Sequence, residues 1–220
     1  MEARDLETER TTARRRPERV SHDCAAVYAI LDAAPCCHVG FVADGQPYVI
    51  PTIHARVDDR LYLHGSAASR TLRVLASGVP VCVTATLVDG LVLARSAFHH
   101  SMNYRSVVVL GTAFELTDDA ARSAALAAIV ERLVPGRWSH VRAPSAAELR
   151  ATRVLALPIV EASAKVRRGG PIEDDADLGV PVWAGELPLR LLPGEPIPDA
   201  RLDRGAVVPE HVRRLDARRF

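Results

Sequence analysis

Three apolar positions, Val27, Ile30 and Leu31, follow helical spacing near the start of the chain. They predict a helix over roughly 22–33, with Ser21 as its N-cap and "AAP" as its stop. The pattern then switches to period two. "CHVGFVADGQPYVIPTIHARVDDRLYLHG" reads as three β-rich runs punctuated by "DG" and "DD", residues that suit tight hairpins. Pro47 and Pro51 fall in the second run, which puts it at a sheet edge or beside a ligand, where ladder donors are dispensable. A short helix is predicted in "SAASRTLRVLASG": Ser66 caps it, Ala68, Leu72, Leu75 and Ala76 form its apolar face, and Gly78 ends it.

Alternation returns in "VPVCVTATLVDG", where Val79, Val81, Val83, Ala85 and Leu87 share one face and "DG" marks a turn. "LVLARSAF" follows, then the polar break "HHSMN", then "YRSVVVLGTAFEL", whose apolar centre reads as a strand buried on both faces. Asp118 caps a helix to about 134 with Leu126, Ile129, Val130 and Leu133 inward, and "TRVLALPIVEASAKV" reads as a final strand. Residues 1–20 carry no apolar period and read as a flexible tail; residues 166–220 hold 7 of the chain's 15 prolines and read as an extended arm. The order helix, three strands, helix, three strands, helix, strand predicts a mainly β domain over 21–165. It is a six- to seven-stranded antiparallel split or closed barrel with flanking helices.

Composition narrows the function classes. At 220 residues and net charge +1, the chain has no basic excess for nucleic acid, no apolar run long enough to span a membrane, and no signal-peptide core, so a cytoplasmic protein is expected. Four cysteines form no CxxC pair. The adjacent ligands of "CCH" at 36–38 would point to opposite faces of a strand, so these are read as small core residues rather than a metal site. Lys165 is the only lysine against 27 arginines, and its survival is explained equally by chance and by a need for a compact ammonium.

The candidate chemistry begins with a misplaced charge. Arg70 and Arg73 sit in the first half of the "SAASRTLRVL" helix, where the backbone already carries partial positive charge. Free N–H groups, the hydroxyls of Ser66 and Ser69, and the Arg70 guanidinium make a phosphate cradle; the alternative is an arginine folded back on Asp58 or Asp59. His64 is a candidate ligand contact or a strand-end residue, and His54 is expected in the core or at the surface. His99 and His100 in "FHH" are candidates for metal or haem. Tyr104, Arg105 and Ser106 open a buried strand and need partners.

"GQPYVIPT", "LYLHGSAASRTLRVL" and "NYRSVVVLGTAFEL", in that order, resemble the pyridoxamine 5′-phosphate oxidase-like superfamily of FMN-binding split β-barrels, in the branch of flavin-nucleotide-binding proteins similar to nitroimidazole-resistance reductases. The resemblance covers about residues 21–165 and implies a homodimer with FMN at the subunit interface. It carries phosphate contacts onto His64, Ser66, Ser69 and Arg70, and ring-edge contacts onto Ile50, Pro51 and Thr52. Ser106 and Tyr104 are brought to the cofactor. A Lys165 ammonium near the ring edge would stabilise reduced, anionic flavin. The ending "VRRLDARRF" departs from the Arg/Trp-containing substrate motif of true pyridoxamine phosphate oxidases, which puts pyridoxal formation in doubt. The reading is an FMN-dependent oxidoreductase acting on a small molecule, with no side chain marked as an obligatory acid or base. A non-catalytic flavin carrier or sensor, a haem-binding relative and a deazaflavin protein stay open, as does a barrel that has lost its ligand.

Overall fold

A computed structural model describes residues 6–203 and 205–215. The chain forms β1 (Val20–Ser21), α1 (Cys24–Ala33), β2 (Cys37–Ala43), β3 (Gln46–Thr52), β4 (His54–Val57), β5 (Arg60–Ser66), α2 (Arg70–Ala76), β6 (Pro80–Leu93), β7 (Ser101–Thr112), β8 (Phe114–Glu115), α3 (Asp119–Leu133), α4 (Ala146–Ala151), β9 (Thr152–Pro158), β10 (Glu161–Arg167), β11 (Gly185–Pro188) and α5 (Glu210–Arg213). All strand pairings are antiparallel. One sheet runs β1-β10-β7-β6-β2-β3, with β11 also on β6; the other runs β4-β5-β9-β8. The result is a split barrel.

The split is made at two corners. The run predicted as one strand through "QPYVIPTIHARV" breaks at Ile53: β3 stays at the edge of the large sheet while β4 starts the small one. The predicted final strand breaks likewise, β9 entering the small sheet and β10 the large one. Both breaks follow an internal proline, Pro51 and Pro158, which interrupts ladder donation. Between the sheets lie Leu31, Leu61, Leu63, Val83, Leu155 and Leu157, each no more than 2% exposed. Burying each such leucine contributes about 1.5–3 kcal/mol.

Local chemistry decides the turns. Asp44 and Gly45 both adopt positive φ (52° and 77°), a two-residue turn that matches the strand twist between β2 and β3. The second "DG", predicted as a turn, is a bulge at Val88/Gly90 inside the continuous β6. Its Asp89 carboxylate accepts three guanidinium hydrogen bonds from Arg105 on β7, at 2.7, 2.9 and 3.2 Å, which tie the bulge to the neighbouring strand.

Three further expectations need correction. Asp23, accepting from the Ala25 N–H, caps α1 in place of Ser21, which ends β1. Val107 and Val109 of β7 are fully buried but Val108 is only half-buried, so one face of that strand is core. The flexible tail is packed from Leu6 onward. Leu6 is fully buried, its carbonyl accepts from the Ala162 N–H, and Glu161 accepts from Thr8 and Arg10. Residues 1–5 lie outside the described residues. Alternation could not reveal this anchoring, because the segment has a single apolar plug and pairs with a strand about 150 residues away.

Candidate functional site

β3, β5 and α2 meet around a small hollow of about 120 Å³, lined by Ile50, Pro51, Thr52, His64, Ser69 and Leu72, among others. The edge position of β3 leaves Pro51 and its neighbours open. Gly65 lets β5 approach α2, since a Cβ there would stand 3.3 Å from Leu72 Cδ1. Ser69, rather than Ser66, caps α2, its Oγ accepting from the Leu72 N–H at 3.4 Å. Ser66 is exposed and accepts from the Ala68 N–H in the preceding turn. The helix therefore starts three residues later than predicted, because "SAAS" offers two capping serines and the second is the one that meets α2.

His64 points a buried Nδ1 that has no hydrogen-bond partner, and burial lowers its pKa below the ordinary histidine value. A neutral imidazole with an unmet ring nitrogen, beside the Ser69 hydroxyl, is a polar group set to receive a ligand. Arg70 flanks the hollow. Its guanidinium lies 4.6 Å over the Tyr48 ring, not on Asp58 or Asp59, and it shares a shallow depression with Arg73 and Ser77. Among the described residues Arg70 has no carboxylate partner, so its charge is free for an anion.

Tyr104, Ser106 and Lys165 do not join this hollow. Ser106 and Lys165 are cross-strand neighbours on β7 and β10, with the Ser106 hydroxyl 3.4 Å from the Lys165 carbonyl oxygen, and Tyr104 pairs with Arg167. These strands lie toward the other edge of the large sheet, β7 three positions and β10 four positions from β3. Lys165 opens instead on a second hollow, of about 450 Å³, with Arg15, Arg16, Arg19 and Arg167. His99 and His100 line it too.

Arg167 is the buried member of this cationic group, 4% exposed. It donates to the Gly169 and Gly170 carbonyls at 2.6 and 2.8 Å and to the Asn103 side chain, which in turn donates to Glu186 of β11. Sequence reading missed this hollow. "RRRPER" was visible, but only the pairing of Val20 with Lys165 brings it beside β10. His54, by contrast, is core: it is 1% exposed and Nε2 bonds the Leu31 carbonyl at 2.9 Å. No helix among the described residues is long and apolar enough to cross a membrane.

The split barrel with a polar hollow beside an edge strand defines a class of cofactor-binding proteins, and comparison with known proteins gives the family. The pyridoxamine 5′-phosphate oxidase family model matches residues 23–166, and the chain belongs to that family. It is similar to the flavocytochrome Anf3 from Azotobacter vinelandii, with 41% identity and a TM-score of 0.88 over 94% of this chain and 96% of that one. The FAD and haem binding protein from Mycobacterium smegmatis has 38% identity and a TM-score of 0.86 over 90% and 97%. A putative 5-nitroimidazole antibiotic resistance protein from Bacteroides thetaiotaomicron has 26% identity and a TM-score of 0.57 over 67% and 86%. No curated protein sequence matches.

Proposed function

We propose that this protein binds a flavin at the β3–β5–α2 hollow and works as a redox protein on a small molecule. The observation that carries the reading is the unmet Nδ1 of His64 beside Ser69 and the uncompensated Arg70, next to an edge strand that offers its backbone. Relatives of about 40% identity that span nearly the whole chain are a flavocytochrome and a FAD and haem binding protein, which supports the same reading. When bound, a flavin supplies hydride or electron transfer. The chain's own part is to hold the phosphate with Ser69, His64 and Arg70 and to keep the ring edge against Ile50, Pro51 and Thr52. Arg70 and Arg73, one helical turn apart, give room for a second phosphate and favour FAD over FMN.

The working unit is a homodimer. A hollow of about 120 Å³ is far below the roughly 300–1,000 Å³ of a ligand site, so a second copy supplies the missing walls. An apolar row supports this: Leu187, Leu91 and Met102 are cross-strand neighbours over β11, β6 and β7, and each is at least 40% exposed. In the dimer, Ser106 and Lys165 of one copy are the residues available to face the flavin held by the other.

A second reading adds haem, favoured by the histidine pair in the cationic hollow and by the two relatives of about 40% identity. The test is the visible absorption spectrum of the purified protein, with each released chromophore identified by mass and the assembly sized by sedimentation. A bound flavin on a dimer is expected. A colourless protein that refuses added FMN and FAD would overturn the flavin reading.

A further inference from the structure

The hollow that holds five cations has an unusual balance. Arg15, Arg16, Arg19, Lys165 and Arg167 converge on it. Two carboxylates reach them: Glu18, 3.8 Å from Arg16 and 4.0 Å from Arg19 and itself 59% exposed, and Glu186, which accepts from the Asn103 side chain that Arg167 contacts. Arg167 donates only to carbonyl oxygens, those of Gly169, Gly170 and the Asn103 side chain, and its pKa is lowered by burial and by the charge of Arg19, against the smaller opposing effects of Glu186 and Tyr104. Such crowding is costly unless a ligand brings at least two negative charges.

The lining also includes two exposed apolar side chains. Phe98 is 89% exposed and Ile172 is 59% exposed, both lining the hollow. Phe98 belongs to the short 3₁₀ turn Ala97–His99, which is followed by His100. Its two histidines are held differently. His100 Nδ1 donates to the Ser96 carbonyl at 2.9 Å, which fixes the tautomer and leaves Nε2 as a free lone pair. His99 Nε2 is engaged 3.4 Å from the Asp174 carboxylate. A ring nitrogen pinned to a backbone carbonyl, with the other left open, is the arrangement that orients a metal-ligating histidine.

We infer that this hollow is a haem site in which His100 Nε2 ligates the iron and Arg15 and Arg19 pair with the two propionates. Phe98 and Ile172 cover the macrocycle, and Arg167 holds the cationic wall in place through Asn103. The inference rests on the haem reading above and adds where the group sits and what holds it. The donor set fits: one neutral nitrogen, flexible cations for two carboxylates, and apolar cover for a flat ring. His99 is a positioning residue whose link to Asp174 keeps it off the iron.

The test is a haem titration followed at the Soret band, run on the wild type, H100A, H99A and an R15S/R19S double variant, with haem dimethyl ester as a second probe. All four positions are exposed or half-buried, and circular dichroism checks that each variant is folded. The wild type is expected to bind haem with a histidine-ligated spectrum. H100A should lose that spectrum and regain it when imidazole is added; H99A should keep it. The double variant should bind haem at least about tenfold more weakly yet bind the ester as the wild type does. A wild-type spectrum and affinity in H100A would overturn the site while leaving the haem reading standing. A wild type that takes up no haem would overturn both, and equal losses for haem and ester in the double variant would remove the propionate assignment.

Discussion

The guanidinium of Arg70 lies 4.6 Å from the centroid of the Tyr48 ring, and its charge meets no carboxylate among the described residues. The cation–π contact with a β3 side chain holds the cation beside the β3–β5–α2 hollow without neutralising it. A cation kept in place but unpaired is prepared to bind an anion. Arg70→Ala should therefore raise the flavin dissociation constant about 10- to 100-fold, the equivalent of about 1.5–3 kcal/mol for a charge-assisted hydrogen bond. Tyr48→Leu should cost less, because it frees the arginine without removing it. Fluorescence titration of the flavin-stripped protein measures both, and unchanged affinity in Arg70→Ala would refute the placement.

Leu6 supplies a stability test. It is fully buried and its carbonyl receives the Ala162 N–H, so the N-terminal segment is anchored on β10. Leu6→Ala should destabilise the protein by about 2–5 kcal/mol. A thermal melt that is unchanged within about 0.5 kcal/mol would mean the segment is loose in solution.

How far the sequence reveals this molecule depends on the range of each interaction. Local signals were legible: Asp118 caps α3, and Asp44–Gly45 turns between β2 and β3. The edge position of β3 followed from Pro47 and Pro51. Ambiguous local signals misled. Ser66 and Ser69 are equally good caps by type, and only the docking of α2 on β5 selects Ser69. Asp89–Gly90 looks like a hairpin turn until Arg105, on the next strand, takes its carboxylate. Non-local partnerships stayed hidden. The cationic hollow is made by residues about 150 positions apart, and no periodicity in either segment announces the other. Of the site residues expected together, Ile50, Pro51, Thr52, His64 and Ser69 share one hollow and Arg70 flanks it. Ser66 stands outside. Tyr104, Ser106 and Lys165 lie across the sheet, where only a second copy could bring them to the same ligand.

The adjacent thiols make a chemical test of burial at the start of β2. Cys37 is buried, and burial pushes its pKa up to about 12, whereas Cys36 is exposed. Thiolate is the reactive form. Under native conditions at pH 8, a maleimide should label Cys36 at least about 100 times faster than Cys37, which should react only after denaturation. Peptide mass mapping separates the two sites. Equal rates would mean that Cys37 is not buried at the start of β2.

His54 links stability to pH. Its Nε2 donates to the Leu31 carbonyl, Nδ1 is buried without a partner, and burial lowers its pKa below 6.5. The unfolded chain takes up a proton near pH 6.5 while the folded chain does not. The neutral state's stability is complete above that pH and is lost as pH falls toward the lower, folded value. The loss per pH unit approaches about 1.4 kcal/mol for one proton. Denaturant melts between pH 8 and 5 should show the His54→Gln curve flatter than the wild type below pH 6.5. Parallel curves would mean that another group carries the acid sensitivity.

The arm can be separated from the barrel at one glycine. A Cβ on Gly90 would stand 3.0 Å from the Leu187 carbonyl oxygen and 3.4 Å from Pro188 Cα, both backbone positions of β11 that cannot rotate away. The neighbouring side of β6 is fixed by its long pairing with β7, so the strain must be relieved by β11. Gly90→Val should cost the β11–β6 pairing about 1–3 kcal/mol and leave the core between the two sheets intact. Limited proteolysis should then cut between residues 170 and 195 several times faster than in the wild type, while the remaining barrel melts as one unit. If the dimer is built on the Leu187–Leu91–Met102 row, the same variant should also dissociate at higher protein concentration than the wild type. Cleavage without any change in assembly would put the interface on another face, and resistance to cleavage would mean that the arm is held by contacts beyond β11.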